Sequence, residues 1–192
     1  GRRPDTPKPD DPIFDRVHDV VVGSNRLAAL AAADAARSLG YETLLLSTFV
    51  EGEAREVARI AAALGRGVLA HGDPVAPPAC RVLGGETTVR VRGNGKGGRN
   101  QELALAAALA LEGIEGVSVM ALATDGSDGP TDSSGAIVDG ETAAAIRAAG
   151  IDPAAALLGN DAYPALEAAG AQLRTGPTGT NVNDLCVVLV RR

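Results

Sequence analysis

The sequence predicts an α/β protein with helices lying on a sheet, and three observations carry that expectation. Short β-branched runs alternate with Ala-rich runs whose apolar residues recur at helical spacing. The core material is small: hydrophobic residues make up 45% of the chain, aromatics only 2%, and Trp is absent. Such side chains suit helices packed closely on a sheet. Polar, glycine-rich segments fall between these runs, where α/β folds place their ligand-binding loops.

Residues 1–16 are rich in proline and charge and read as a linker. The chain opens Gly1-Arg2-Arg3-Pro4 without Met, so it reads as the later part of something longer. HDVVVGSN then reads as a strand ending in the corner Gly23-Ser24-Asn25, where Ser24 or Asn25 caps the next helix. Contact with a ligand is a secondary role for that pair. RLAALAAADAARSLG is helical and stops at Gly40, YETLLLS is a strand, and GEAREVARIAAALGRG is a second helix. Strand–helix pairs on short links imply parallel strands. The three prolines within residues 68–79 mark a boundary between units at 17–75 and 79–192. CRVLGGETTVRVRG reads as two strands around Gly84-Gly85, QELALAAALALEG as a helix, and VSVMALATDG as a buried strand with a polar end. ETAAAIRAAG, DPAAALLG and DAYPALEAAG are short helices, and LCVVLVRR is a closing strand.

Composition excludes several functions. A net charge of −6 with no basic stripe does not suit nucleic acid. No apolar run reaches the roughly 18 residues a membrane span needs. Cys80 and Cys186 sit in apolar runs without metal-ligand spacing and read as buried strand residues, which suits a cytoplasmic protein. His18 and His71 are isolated and read as surface or capping residues.

Three loops carry the chemistry. In residues 93–101, Asn94, Gly95, Lys96, Gly97, Gly98, Arg99 and Asn100 combine glycines, two cations and a helix start, which together make an anion cradle. The spacing is not that of a Walker A loop. Residues 124–135 follow a strand and bring Asp125, Asp128 and Asp132 close in sequence; such carboxylates hold Mg²⁺, take a substrate proton, or cap and turn the chain. Residues 175–184 supply Thr178, Thr180, Asn181, Asn183 and Asp184, small polar groups suited to gripping a ligand or shaping a turn.

GGETTVRVRGNGKGGRNQELAL, ALATDGSDGPTDSSGAIVDG and GPTGTNVNDL resemble, in order, the signature blocks of the MOFRL domain, the C-terminal domain of glycerate 2-kinases often labelled hydroxypyruvate reductase. The stretch from Pro7 to Tyr41 resembles the region before that domain. The resemblance implies a partial Rossmann-like βαβα segment followed by an α/β MOFRL domain with helices packed on a mixed sheet. It implies ATP-dependent phosphorylation of D-glycerate to 2-phosphoglycerate with Mg²⁺, at a cleft between two domains. On it, Arg99 matches a functional arginine that pairs with the glycerate carboxylate or a transferring phosphate. Asp125 and Asp128 match the block assigned catalytic and Mg²⁺-holding roles, and Asn183 and Asp184 match the third block. The family's long N-terminal region, with its functional lysine, is not in this sequence, so that part and a second copy of the chain are the expected partners. Two other readings stand beside this one: a hydroxypyruvate reductase using NAD(P)H, for which no G-x-G-x-x-G segment is present, and a non-catalytic binding module.

Overall fold

The first helix, α1 (Asn25–Ser38), begins where the sequence places a cap, with Ser24 Oγ accepting from the Leu27 amide. Its buried residues Ala29, Ala33 and Ala36 form one stripe against Val82, Leu185 and Val187. The chain continues through β1 (Glu42–Val50), α2 (Ala54–His71), β2 (Ala79–Gly85), α3 (Arg99–Leu111), β3 (Val117–Ala123), β4 (Gly135–Asp139), α4 (Thr142–Ala148), α5 (Pro153–Leu158), α6 (Ala162–Ala168), β5 (Gln172–Leu173) and β6 (Asp184–Val190). This computed structural model describes residues 5–191; residues 1–4 of the expected linker lie outside them.

The six strands form one mixed sheet in the order β1-β2-β6-β3-β4-β5. β1 and β2 are parallel, β6 runs antiparallel to both β2 and β3, and β4 antiparallel to β3. The sheet therefore continues across the proline-rich segment, with β1 and β2 as hydrogen-bonded neighbours. One face carries α1; a larger cluster covers the other, built by α2, α3 and the short helices. Small residues permit the close layers: a Cβ on Gly65 of α2 would lie 2.5 Å from a Val117 methyl of β3. α3 is buried almost all round, down to Asn100, Gln101 and Glu102. Cys80 and Cys186 are buried strand residues, and burial pushes the Cys186 thiol up to about 12.

Local readings differ in several places. The run 18–22 forms no strand; Val20, Val21 and Val22 are 77%, 78% and 90% exposed. Val21→Thr should accordingly leave the unfolding free energy within about 0.5 kcal/mol of wild type in urea titrations. A loss above about 1 kcal/mol would mean that the segment packs on the domain. The second of the two strands expected within residues 80–93 is also absent: Thr88 makes a single bridge to Glu53, and the chain turns away toward α3. α2 runs on to His71, into the segment read as a boundary, and ends at left-handed Gly72. Finally, β4 was not foreseen, being five residues inside a polar stretch.

Candidate functional site

The mixed topology puts the carboxyl ends of β1, β2 and β3 and the amino ends of β4 and β6 at one edge of the sheet. Asp184, the first residue of β6, lies in register with Gly85 of β2 and Ala123 of β3. All three sequence-predicted loops, and the starts of α1 and α3, converge there.

At the centre, Arg99 grips Asp184 with two prongs, Nε to Oδ2 at 2.5 Å and Nη2 to Oδ1 at 3.0 Å. Such fork-to-fork pairing fixes the guanidinium plane. Asp184 is nearly buried and Arg99 about one-third exposed, while Glu86 approaches Arg99 Nη2 at 3.4 Å from the half-exposed end of β2. The bond to Asp184, aided by the nearby carboxylates, raises the Arg99 pKa above its ordinary value. Arg99 is thus a permanent, oriented cation with its Nη1 side uncommitted among the described residues.

The basic loop is not the open cradle that its glycines imply. The amides at the start of α3 already hold an anion, the carboxylate of Asp128: Oδ1 accepts from the Asn100 amide and Nδ2, both at 3.1 Å, and Oδ2 from the Gln101 amide and Nε2 at 2.9 and 3.0 Å. Asp128 is 1% exposed. The catalytic and Mg²⁺-holding roles expected for Asp128 are therefore corrected to capping, the third of the roles such a carboxylate can take. Asn100 is likewise buried, its Nδ2 donating to Asp128. Gly98 is required here: a Cβ would lie 2.4 Å from Asp128 Cγ. Burial pushes the Asp128 carboxyl above its ordinary value, against the pull of the donors from Asn100 and Gln101. The folded state thus takes up this proton more readily than the unfolded chain. The group favours folding most in acid, and that margin is lost as pH rises through the raised value.

Elsewhere in the loop the Gly93 amide bonds Asn160 Oδ1, the Gly95 amide bonds the Gly159 carbonyl, and the Lys96 amide bonds Asp161 Oδ1. Asn94 is exposed. Gly97 and Gly98 have no backbone hydrogen bond from their N–H groups among the described residues, and so remain as donors beside Arg99. The Lys96 ammonium stands 4.1 Å over the Tyr163 ring, whose hydroxyl donates to Asp132.

The other two loops are zipped together. Asp125 Oδ2 accepts from Asn181 Nδ2 at 3.1 Å, Thr178 Oγ1 donates to the Thr124 carbonyl, Thr180 carbonyl lies within reach of Thr178 Oγ1, and Asn183 adopts φ +65 while its carbonyl accepts from Thr124. Much of this polarity is turn chemistry. Asn25 ties α1 to the same place, its Nδ2 donating to the carbonyls of Val182 and Asp184, while Ser24 is the cap. A cavity of about 620 Å³ lies between the basic loop and residues 86–91, lined by Arg99, Glu86, Thr87, Gly97, Gly98 and Asn160 among others.

The structure brings Arg99, Lys96, Gly97, Gly98, Asp125, Asn181 and Asp184 to one sheet end and withdraws Asp128 and Asn100 into the interior. No group of three or more His, Cys, Asp or Glu suited to a metal ion occurs among the described residues. Mg²⁺ carried on phosphates needs only one or two protein carboxylates. Asp125, half-buried with its second oxygen bonded by the Ser127 amide, fits that limited part; Asp128 does not. Sequence reasoning missed Glu86, Thr87, Asn160 and Tyr163. Glu86 had a signal, since an acid directly past the carboxyl end of a strand is a candidate by position alone. Asn160 and Tyr163 reach the site from sixty or more residues away and had none.

Fold and loops together define an α/β domain with a charged, glycine-walled cleft at one end of its sheet. The chain belongs to the MOFRL family, whose signature spans residues 79–184. It is 49% identical over 170 residues to the D-glycerate 2-kinase of Thermotoga maritima, covering 88% of this chain and 41% of that protein. A relative from Agrobacterium vitis named as a hydroxypyruvate reductase is 43% identical over 172 residues, covering 88% of this chain and 39% of that protein. The crystal structure of glycerate kinase from Thermotoga maritima superposes with a TM-score of 0.86 at 49% identity, over 88% of this chain and 41% of that one. The chain thus spans about two fifths of the length of these relatives.

Proposed function

We propose that this chain forms one wall of a glycerate kinase active site, in which Arg99 holds the carboxylate of a small hydroxy acid or the phosphoryl group in transit. The observation that supports the reading most is the Arg99–Asp184 fork beside a roomy cavity: an oriented guanidinium with one side uncommitted suits an incoming carboxylate or phosphate. Phosphoryl transfer asks a protein chiefly for positioning and charge neutralisation. Lys96 and the amides of Gly97 and Gly98 suit the phosphates, and Asp125 the metal that accompanies them. ATP as donor, Mg²⁺ and the 2-hydroxyl as acceptor belong to this proposal, as does a further wall contributed by the N-terminal part found in the relatives. When bound, ATP supplies the phosphoryl group; the residues of this chain orient the acid and offset its charge.

Amide-resolved NMR titration tests the reading. D-Glycerate should shift the signals of Gly97, Gly98 and Arg99. NADH binding in this cleft, without any response to D-glycerate, would overturn the kinase reading in favour of a reductase.

A further inference from the structure

Nearly every carboxylate around the Arg99 cavity is already committed. Asp184 is gripped by Arg99, Asp128 caps α3, and Glu102 is bonded by Arg55 and Asn160. Glu86 is the exception. It lines the cavity, its side chain is half exposed, and its one ion pair among the described residues is the 3.4 Å approach of Oε1 to Arg99 Nη2. Its backbone is fixed, the amide bonding the Val50 carbonyl of β1, so the carboxylate is offered from a rigid strand end.

We infer that Glu86 is a specificity-determining residue that makes this cavity select a 2-hydroxy acid over the corresponding 2-keto acid. The inference rests on the reading that Arg99 holds the ligand's carboxylate. A ligand carboxylate on the free Nη1 then leaves its neighbouring atom within reach of Glu86, whose Oε1 stands 3.4 Å from the adjoining Nη2 and which lines the same cavity. An ionised carboxylate accepts hydrogen bonds and donates none. A hydroxyl at that position donates to Glu86. A ketone oxygen there has no proton to give and sets its lone pairs against a negative charge. A site built to bond a substrate hydroxyl rejects the analogue lacking it far more strongly than a site that only measures size. Glycerate and hydroxypyruvate differ at that one position, so Glu86 separates the two ligands that the names of the relatives invoke.

The test is calorimetric titration of the chain with D-glycerate and with hydroxypyruvate, for wild type and Glu86→Gln. Wild type should prefer D-glycerate at least tenfold. In Glu86→Gln the ratio should fall below about threefold, because an amide donates to a ketone as readily as it accepts from a hydroxyl. Both ligands should bind the variant no more weakly than expected from the ratio change, since a competitor for Arg99 has been neutralised. An unchanged ratio in Glu86→Gln, or no preference in wild type, overturns this inference while leaving the kinase reading standing. Failure of wild type to bind either acid, where the longer protein with its N-terminal wall fails as well, overturns the kinase reading itself. Glu86 is exposed enough that the glutamine variant should keep the wild-type melting temperature, and that measurement confirms the comparison is between folded proteins.

Discussion

Asp128→Ala is expected to lose at least about 3 kcal/mol of unfolding free energy, because it leaves two backbone amides and the Asn100 side-chain amide without an acceptor in a dry interior and takes one acceptor from Gln101 Nε2. The main-chain carbonyl of Asp128 accepts from Gln101 Nε2 and Thr131 Oγ1 as well, so slackening here spreads to the acidic loop. Asp125→Ala is the control. Asp125 is half-buried and bonds only the Ser127 amide and the Asn181 side chain, so it should cost about 1 kcal/mol or less. Urea unfolding of the two variants side by side separates a capping carboxylate from a working one. Equal, small losses would mean that Asp128 is free to act on a ligand after all.

Arg99→Ala should weaken D-glycerate binding at least tenfold, about 1.4 kcal/mol, and should also destabilise the chain. The second effect arises because Asp184, nearly buried at the start of β6, loses its partner. Removing one member of a desolvated pair is costlier than the pair is worth, and with Arg99 partly exposed a loss of about 2 kcal/mol is expected. Arg99→Lys is more informative than alanine. It retains the charge but not the fork, so it should restore stability in part and binding hardly at all. If lysine restores binding fully, Arg99 acts as a point charge and the planar geometry is immaterial.

The periodicity of the chain was enough for the α/β class, the helices α1 to α6 and the long strands, since each has a pattern that one face of the core demands. It was not enough where an element depends on a distant neighbour. Val20–Val22 have the composition of a strand, yet strand formation needs an edge to pair with, and these three pair with none and stay exposed. Residues 86–92 alternate as a strand does, but only Thr88 finds a partner. The same limit applies in the site. Glycines, cations and a helix start did mark the neighbourhood of Arg99, since all are local features. That the helix amides were satisfied internally, by a carboxylate from the next loop, is a tertiary fact. Asp128 and Asp125 look alike three residues apart in sequence; burial alone separates them.

Arg99, fixed by Asp184, should present its uncommitted side to the carboxylate or phosphate of a ligand. A crystal structure of the chain grown with D-glycerate tests it most directly. The expected result is the acid in the cavity between residues 86–91 and the basic loop, its carboxylate within hydrogen-bond distance of the Arg99 guanidinium and its 2-hydroxyl beside Glu86. D-Glycerate bound away from Arg99, or an Arg99 that leaves Asp184 to reach it, would contradict the account.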